Sequence, residues 1–147
     1  MRANTETIMK ITLERIGNEF YMEAKGKAGI AIPMDHSQAS PVRGSSPMEV
    51  LLSAVAGCSA IDIISILQKQ RIEINEYRAE VEGVREKLEA ATPFKSMKVS
   101  VYLEGDIPKE KAKRAASLSF EKYCSVSLTL NNVALDWEVF VNDERVA

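Results

Sequence analysis

Between Val50 and Ile61 twelve consecutive residues are apolar or small, and this run constrains the fold more than any other feature of the chain. Ser46, Pro47 and Glu49 precede it as a capping box, with Ser46 at the N-cap, Pro47 in the first turn and Glu49 three residues after the cap. The apolar character continues through Ile63, Ile64, Ile66 and Leu67 and ends at the polar Gln68-Lys69-Gln70-Arg71. A helix that is apolar or small on every face is enclosed by its neighbours. The chain therefore folds around a long central helix, and the remaining segments must supply its cover.

Those segments read mainly as strands. Met9, Ile11 and Leu13 alternate with polar residues, Ile16-Gly17-Asn18 offers a turn, Phe20-Tyr21-Met22 returns, and Ala28 to Pro33 adds a third short strand. A loop from Met34 to Ser45 carries Asp35, His36 and Arg43. After the helix, Tyr77, Ala79 and Val81 alternate with Arg78, Glu80 and Glu82, and Met97, Val99, Val101 and Leu103 with Lys98, Ser100, Tyr102 and Glu104, each a half-buried strand of an antiparallel sheet. Gly105-Asp106-Ile107-Pro108 opens a second helix with Ala112, Ala115, Ala116, Phe120 and Tyr123 on one stripe, and Cys124 joins that stripe if the helix reaches it. Val133 to Val141 forms the last strand. The order β-β-(β)-α-β-β-α-β is that of an α+β fold, and the 147 residues fit a single domain or one protomer of an intertwined oligomer.

Charge narrows the partners. A formal net charge of -2, with lysines and arginines scattered among glutamates, gives no electrostatic reason to expect nucleic acid or an acidic membrane. Glu6, Lys10, Glu14, Arg15 and Glu23 break any secretory core, and no uncharged run reaches the ~18 residues that span a bilayer, so the expected location is the cytoplasm. In that reducing compartment two cysteines far apart in sequence suit catalysis or redox sensing better than a structural disulfide. One histidine and two cysteines without close spacing make a poor zinc site, and neither metal nor cofactor is expected.

Cys58 lies between Gly57 and Ser59, which leave room around its sulfur. It stands roughly 16 Å along the helix from Pro47, at 1.5 Å per residue, too far for the helix dipole to activate it. An apolar interior raises a thiol pKa, so a reactive Cys58 needs a cation or donor from another segment. Asp62, one turn later, discourages a thiolate if it is ionised and close, or else orients a neighbour. The inert reading, a small buried hydrophobe, stays open on the residues alone.

The segment Ser46-Pro47-Met48-Glu49-Val50-Leu51-Leu52-Ser53-Ala54-Val55-Ala56-Gly57-Cys58-Ser59-Ala60-Ile61-Asp62 resembles the central-helix signature of the OsmC/Ohr family. Glu121-Lys122-Tyr123-Cys124-Ser125-Val126 resembles the second cysteine segment of that family, particularly its OsmC-like branch. The resemblance implies an OsmC-like fold of antiparallel sheets with two central helices in an intertwined homodimer. It also implies a thiol-dependent peroxidase acting on organic hydroperoxides, with Cys58 as nucleophile, Cys124 as its resolving partner and a dithiol as reductant. Leu51, Val55, Ile61, Phe120 and Tyr123 are then the expected substrate-binding residues, their apolar walls suiting an alkyl peroxide. Where better-characterised members have an acid directly after the helix-start proline, this chain has Met48, and its acid follows as Glu49. One residue turns a helical side chain by about 100°. Arg43 is the candidate activating cation and Glu49 its candidate acid. The alternative function is an OsmC-like protein without peroxidase activity that binds or senses a small hydrophobic or thiol-reactive ligand; a dimer with purely structural cysteines is the third reading.

Overall fold

The computed structural model describes residues 5–147. The chain divides into two compact units, one ending at Val50 and one running from Leu51 to Ala147. Element bounds follow the α+β expectation, in the order β1 (Thr12–Arg15), β2 (Met22–Lys25), β3 (Ala31–Met34), α1 (Pro47–Lys69), β4 (Glu76–Arg85) and β5 (Phe94–Glu104). Then come α2 (Lys109–Leu118), a π-helical turn (Ser119–Tyr123), α3 (Ser125–Thr129), β6 (Ala134–Val141) and β7 (Glu144–Arg145).

In the smaller unit β1, β2 and β3 form an antiparallel three-stranded sheet. Its strands begin two or three residues later than the apolar alternation suggests, and every residue of β1 is exposed. Among the described residues of this unit only Ala24 and Asp35 are buried. The loop after β3 is nonetheless well tied: Asp35 N–H donates to the Ser45 carbonyl at 3.1 Å and Ser45 N–H to the Pro33 carbonyl at 3.3 Å. Gly44 permits this closure, because a Cβ there would lie 2.7 Å from the backbone of Pro33 and Met34. A side chain cannot share that space without moving backbone.

The capping box is formed as its sequence implies. Ser46 N–H and Oγ donate to Glu49 Oε1 at 3.0 and 2.8 Å, and Glu49 N–H donates back to Ser46 Oγ at 3.3 Å. These bonds hold the Glu49 carboxyl below its ordinary range. Its contribution is therefore present above the unfolded carboxylate range and fades as pH falls through the depressed value.

The larger unit carries a four-stranded sheet in the order β4-β5-β6-β7. The β4–β5 pair is antiparallel, but β5 and β6 run parallel, which departs from the all-antiparallel expectation. Side-chain alternation reports a half-buried face and says nothing of strand direction. The helical connection from α2 to α3 carries the chain back to the starting end, as a parallel pair requires. Asn142 and Asp143, both at positive φ, then make a two-residue turn into β7, a strand that the sequence reading omitted.

Val99, Val101, Val139 and Leu103 from the sheet, Ala112, Ala115 and Ala116 from α2, and Val55, Ile63 and Leu67 from α1 make the core. On α1 this is one stripe at fourfold spacing, completed by Ser59. The enclosure expected on every face is thus confined to one face in the single chain; Ile61 is 68% exposed. By length and composition α1 could also cross a membrane, yet Asp62 at its middle accepts a hydrogen bond from the Ser119 hydroxyl at 3.0 Å, a packed-fold interaction.

Close packing also fixes Gly83 in β4. An added Cβ would sit 2.4 Å from the ring of the buried Phe94 and 3.0 Å from Leu52 Cδ2. Gly83→Ala is expected to destabilise the protein by about 1–3 kcal/mol through overpacking. Chemical denaturation checks this: an unchanged midpoint would mean that the Phe94 ring yields freely.

Candidate functional site

Cys58 and Asp62 stand one turn apart on the same face of α1. Cys124 arrives from a different kind of backbone. The π-helical turn inserts an extra residue per turn, so the Cys124 N–H bonds the Ser119 carbonyl at 2.7 Å, and the chain leaves the helix there in an extended conformation. The helix therefore stops one residue short of Cys124, and the stripe expected to run through Tyr123 is broken: Tyr123 is 49% exposed while Cys124 is fully buried. The outcome is a cluster. A sulfur from Cys58, a sulfur from Cys124 and a carboxylate oxygen from Asp62 all lie within 4.8 Å of one another.

The surrounding hydroxyls define the polarity of this cluster. Ser127 Oγ donates to Cys124 Sγ at 3.1 Å. Ser119, fully buried, donates to Asp62 Oδ2. Ser59, also buried, donates to the Val55 carbonyl at 2.9 Å and so needs no partner from the cluster. Burial pushes the Cys124 thiol up, the Ser127 hydrogen bond pulls it partway back, and the adjacent Cys58 sulfur adds to the rise. Tyr77, with its hydroxyl buried and without a hydrogen-bond partner among the described residues, is raised far above its ordinary value by burial and then by the Asp62 charge.

Both cysteines are free thiols, Cys58 partly exposed and Cys124 buried. At neutral pH an alkylating probe is expected to modify Cys58 first, and Cys124 is expected to gain reactivity as pH rises through its elevated value. Peptide mapping across a pH series reads both rates; equal labelling of the two at neutral pH contradicts the burial difference.

A cavity of about 560 Å³ opens beside Asp62, with Ile66, Leu118 and Tyr123 as apolar lining and Lys69 and Gln70 among the polar groups. Of the five residues expected to bind substrate, Tyr123 lines this cavity. Val55 is fully buried in the core, Phe120 stacks on Trp137 with ring centroids 5.5 Å apart, Leu51 is half-buried and Ile61 faces outward. The five do not assemble into one apolar wall within the chain. Asp62 and Ser119 are the site residues that sequence reasoning undervalued. The i, i+4 spacing from Cys58 marks Asp62 in the sequence as a neighbour of that thiol, whereas nothing local points to Ser119.

In the smaller unit, Arg43 is an ordered residue on the tied loop. Its N–H donates to Asp35 Oδ2 at 3.0 Å, and its guanidinium lies 4.2 Å from the centre of the Tyr21 ring. Tyr21 in turn donates its hydroxyl to Glu23 Oε2 at 2.8 Å, and that bond, with burial, raises the phenol. Glu49 is engaged with Ser46 in the capping box. His36 is exposed, its ring 5.1 Å from that of Phe20.

Fold and cluster together define an α+β protein with a convergent pair of thiols. A family model described as OsmC-like protein matches residues 38–138. Protein YhfA of Escherichia coli (strain K12) is 39% identical over 101 residues, which cover 66% of this chain and 75% of that protein. The crystal structure of a hypothetical protein from Aquifex aeolicus VF5 superposes with a TM-score of 0.77 at 26% identity, covering 93% of this chain and 99% of the other. The organic hydroperoxide resistance protein OhrB of Bacillus subtilis shares the fold, with a TM-score of 0.65 at 18% identity over 91% of this chain and 98% of its own. The chain belongs to the OsmC/Ohr family, as an OsmC-like protein.

Proposed function

We propose that this protein is a thiol-dependent peroxidase that reduces organic hydroperoxides through Cys58 and Cys124. The observation that carries the reading is the approach of the two sulfurs to within 4.8 Å from separate elements of the larger unit. A disulfide needs about 2.05 Å, and Cys124 sits in extended backbone at a helix break, where a small shift can close the distance. The solved structures of similar fold include one named for organic hydroperoxide resistance.

In this reading the Cys58 thiolate attacks the outer peroxide oxygen, the O–O bond breaks and the alkoxide leaves as an alcohol after taking a proton. Cys58 is left as a sulfenic acid. The Cys124 sulfur attacks it, hydroxide leaves with the Cys124 proton as water, and the disulfide forms. A dithiol then reduces that disulfide and is itself oxidised, which fits a reducing, cytoplasmic setting. Arg43 is the activating cation that the reading assigns. Catalytic consumption of an organic hydroperoxide with excess dithiol, lost in Cys58→Ser, is the expected result; no turnover by the native protein removes the assignment. The open cavity shared by Asp62 and Tyr123 favours a second reading, in which it holds a small thiol-reactive ligand without turnover.

The reading includes a homodimer. Two exposed surfaces support it: the α1 face with Ala54, Gly57 and Ile61, and the three-stranded sheet, where Leu13 and Ile32 are each 48% exposed. A sheet of this size with almost no core of its own needs cover. At Gly57 an added Cβ would meet nothing within 4 Å, so the helix face is open to close approach. Ile61→Lys is expected to shift the sedimenting mass from two chains towards one, and an unchanged dimer mass would remove α1 from the interface.

A further inference from the structure

We propose that the reduced protein binds one thiophilic divalent metal ion, of the zinc or cadmium class, through Cys58, Cys124 and Asp62. Spacing along the chain argues against such a site when only cysteine and histidine are counted. The fold adds the third donor, because Asp62 presents its carboxylate within 4.8 Å of both sulfurs. Around a tetrahedral zinc ion, ligand atoms at ~2.3 Å for sulfur and ~2.0–2.2 Å for oxygen stand roughly 3.5–3.8 Å apart. Separations of up to 4.8 Å therefore contract by about 1.3 Å at most, through side-chain rotation of Cys58 and Asp62 on one helix face.

Independent features prepare these donors for a cation. Ser119 holds Asp62 by its Oδ2 at 3.0 Å, and Ser127 donates to Cys124 Sγ at 3.1 Å. Hydrogen bonds of this kind orient metal ligands and favour their anionic forms. Two thiolates and a carboxylate repel one another unless positive charge lies among them, and a divalent ion reduces their combined charge from three negative to one. A fourth ligand position has access to water through the cavity that opens beside Asp62. On binding, two S–H bonds give way to two metal–sulfur bonds, two protons pass to solvent, and no oxidation state changes. While the ion is bound, neither sulfur is available for alkylation or disulfide formation. Nothing in this step depends on peroxidase activity.

The test is anaerobic titration of the full, reduced chain with cadmium chloride and then zinc chloride, without peroxide. One cadmium ion per chain, a cadmium–thiolate charge-transfer absorption, proton release and displacement by zinc are expected. Zinc is also expected to slow alkylation of Cys58 in the native protein, a readout that needs no variant. Asp62→Asn keeps both sulfurs and is expected to weaken binding about tenfold or more, and Ser119→Ala to weaken it in the same direction. Absence of the absorption in the native protein overturns the site. Equal affinity in Asp62→Asn also overturns it, because the sulfurs alone would then hold the ion.

Discussion

Cys124→Ser is expected to reduce peroxide once per chain and then stop when a dithiol is the only reductant supplied at low concentration. With its resolving sulfur gone, Cys58 remains as a sulfenic acid, which an added dithiol must find by diffusion instead of meeting a disulfide already formed. Cys58→Ser loses the first step as well, since a serine hydroxyl is a far weaker nucleophile than a thiolate at neutral pH and cannot form the sulfenic acid. The two variants thus separate the roles: a single stoichiometric burst in one and no consumption in the other. Stopped-flow loss of an alkyl hydroperoxide, followed by trapping of sulfenic acid, reads both. A burst in Cys58→Ser, or unimpaired turnover in Cys124→Ser, contradicts the assignment.

Ile63→Ala is expected to cost about 2–5 kcal/mol of folding stability. Ile63 is wholly inaccessible and sits between Ser59 and Leu67 on the buried stripe of α1. Its truncation removes apolar contact and leaves a void that close-packed neighbours fill only in part. Such a loss is a large fraction of a typical domain's 5–15 kcal/mol. Because Asp62 immediately precedes Ile63, loosening this turn also loosens the cluster of Asp62, Cys58 and Cys124. Denaturant unfolding reads the stability; a loss below about 0.5 kcal/mol, as at a surface position, would mean that α1 does not pack through this stripe.

The parts of this structure that were legible in sequence are those governed by local chemistry. Ser46, Pro47 and Glu49 announce the start of α1, and the polar run from Gln68 announces its end, within a residue of the observed Lys69. Strict alternation located β4 and β5. The N-terminal strands shifted because a sheet with an exposed β1 exerts little selection on pattern, so Met9 and Ile11 lie before β1 and are open to solvent. The parallel β5–β6 pairing is a property of the connection, invisible to residue alternation. The site was legible as a pair of cysteines and as a family resemblance, but its geometry was not. A π-helical turn at Ser119–Tyr123 rotates Tyr123 outward and buries Cys124, and a single added residue per turn leaves no mark in the apolar pattern. Asp62 could be placed near Cys58 by helical spacing, yet its bond to Ser119 spans 57 positions and depends on the tertiary fold.

The central claim is that Cys58 and Cys124 act as one redox pair. It is tested most directly by adding one equivalent of an organic hydroperoxide to the fully reduced protein and mapping the thiols and disulfides by peptide mass. The account predicts that both thiols disappear together and that a Cys58–Cys124 disulfide within one chain is the product. Recovery of both thiols with the peroxide unconsumed, or an oxidised Cys58 beside an untouched Cys124 thiol, would contradict it.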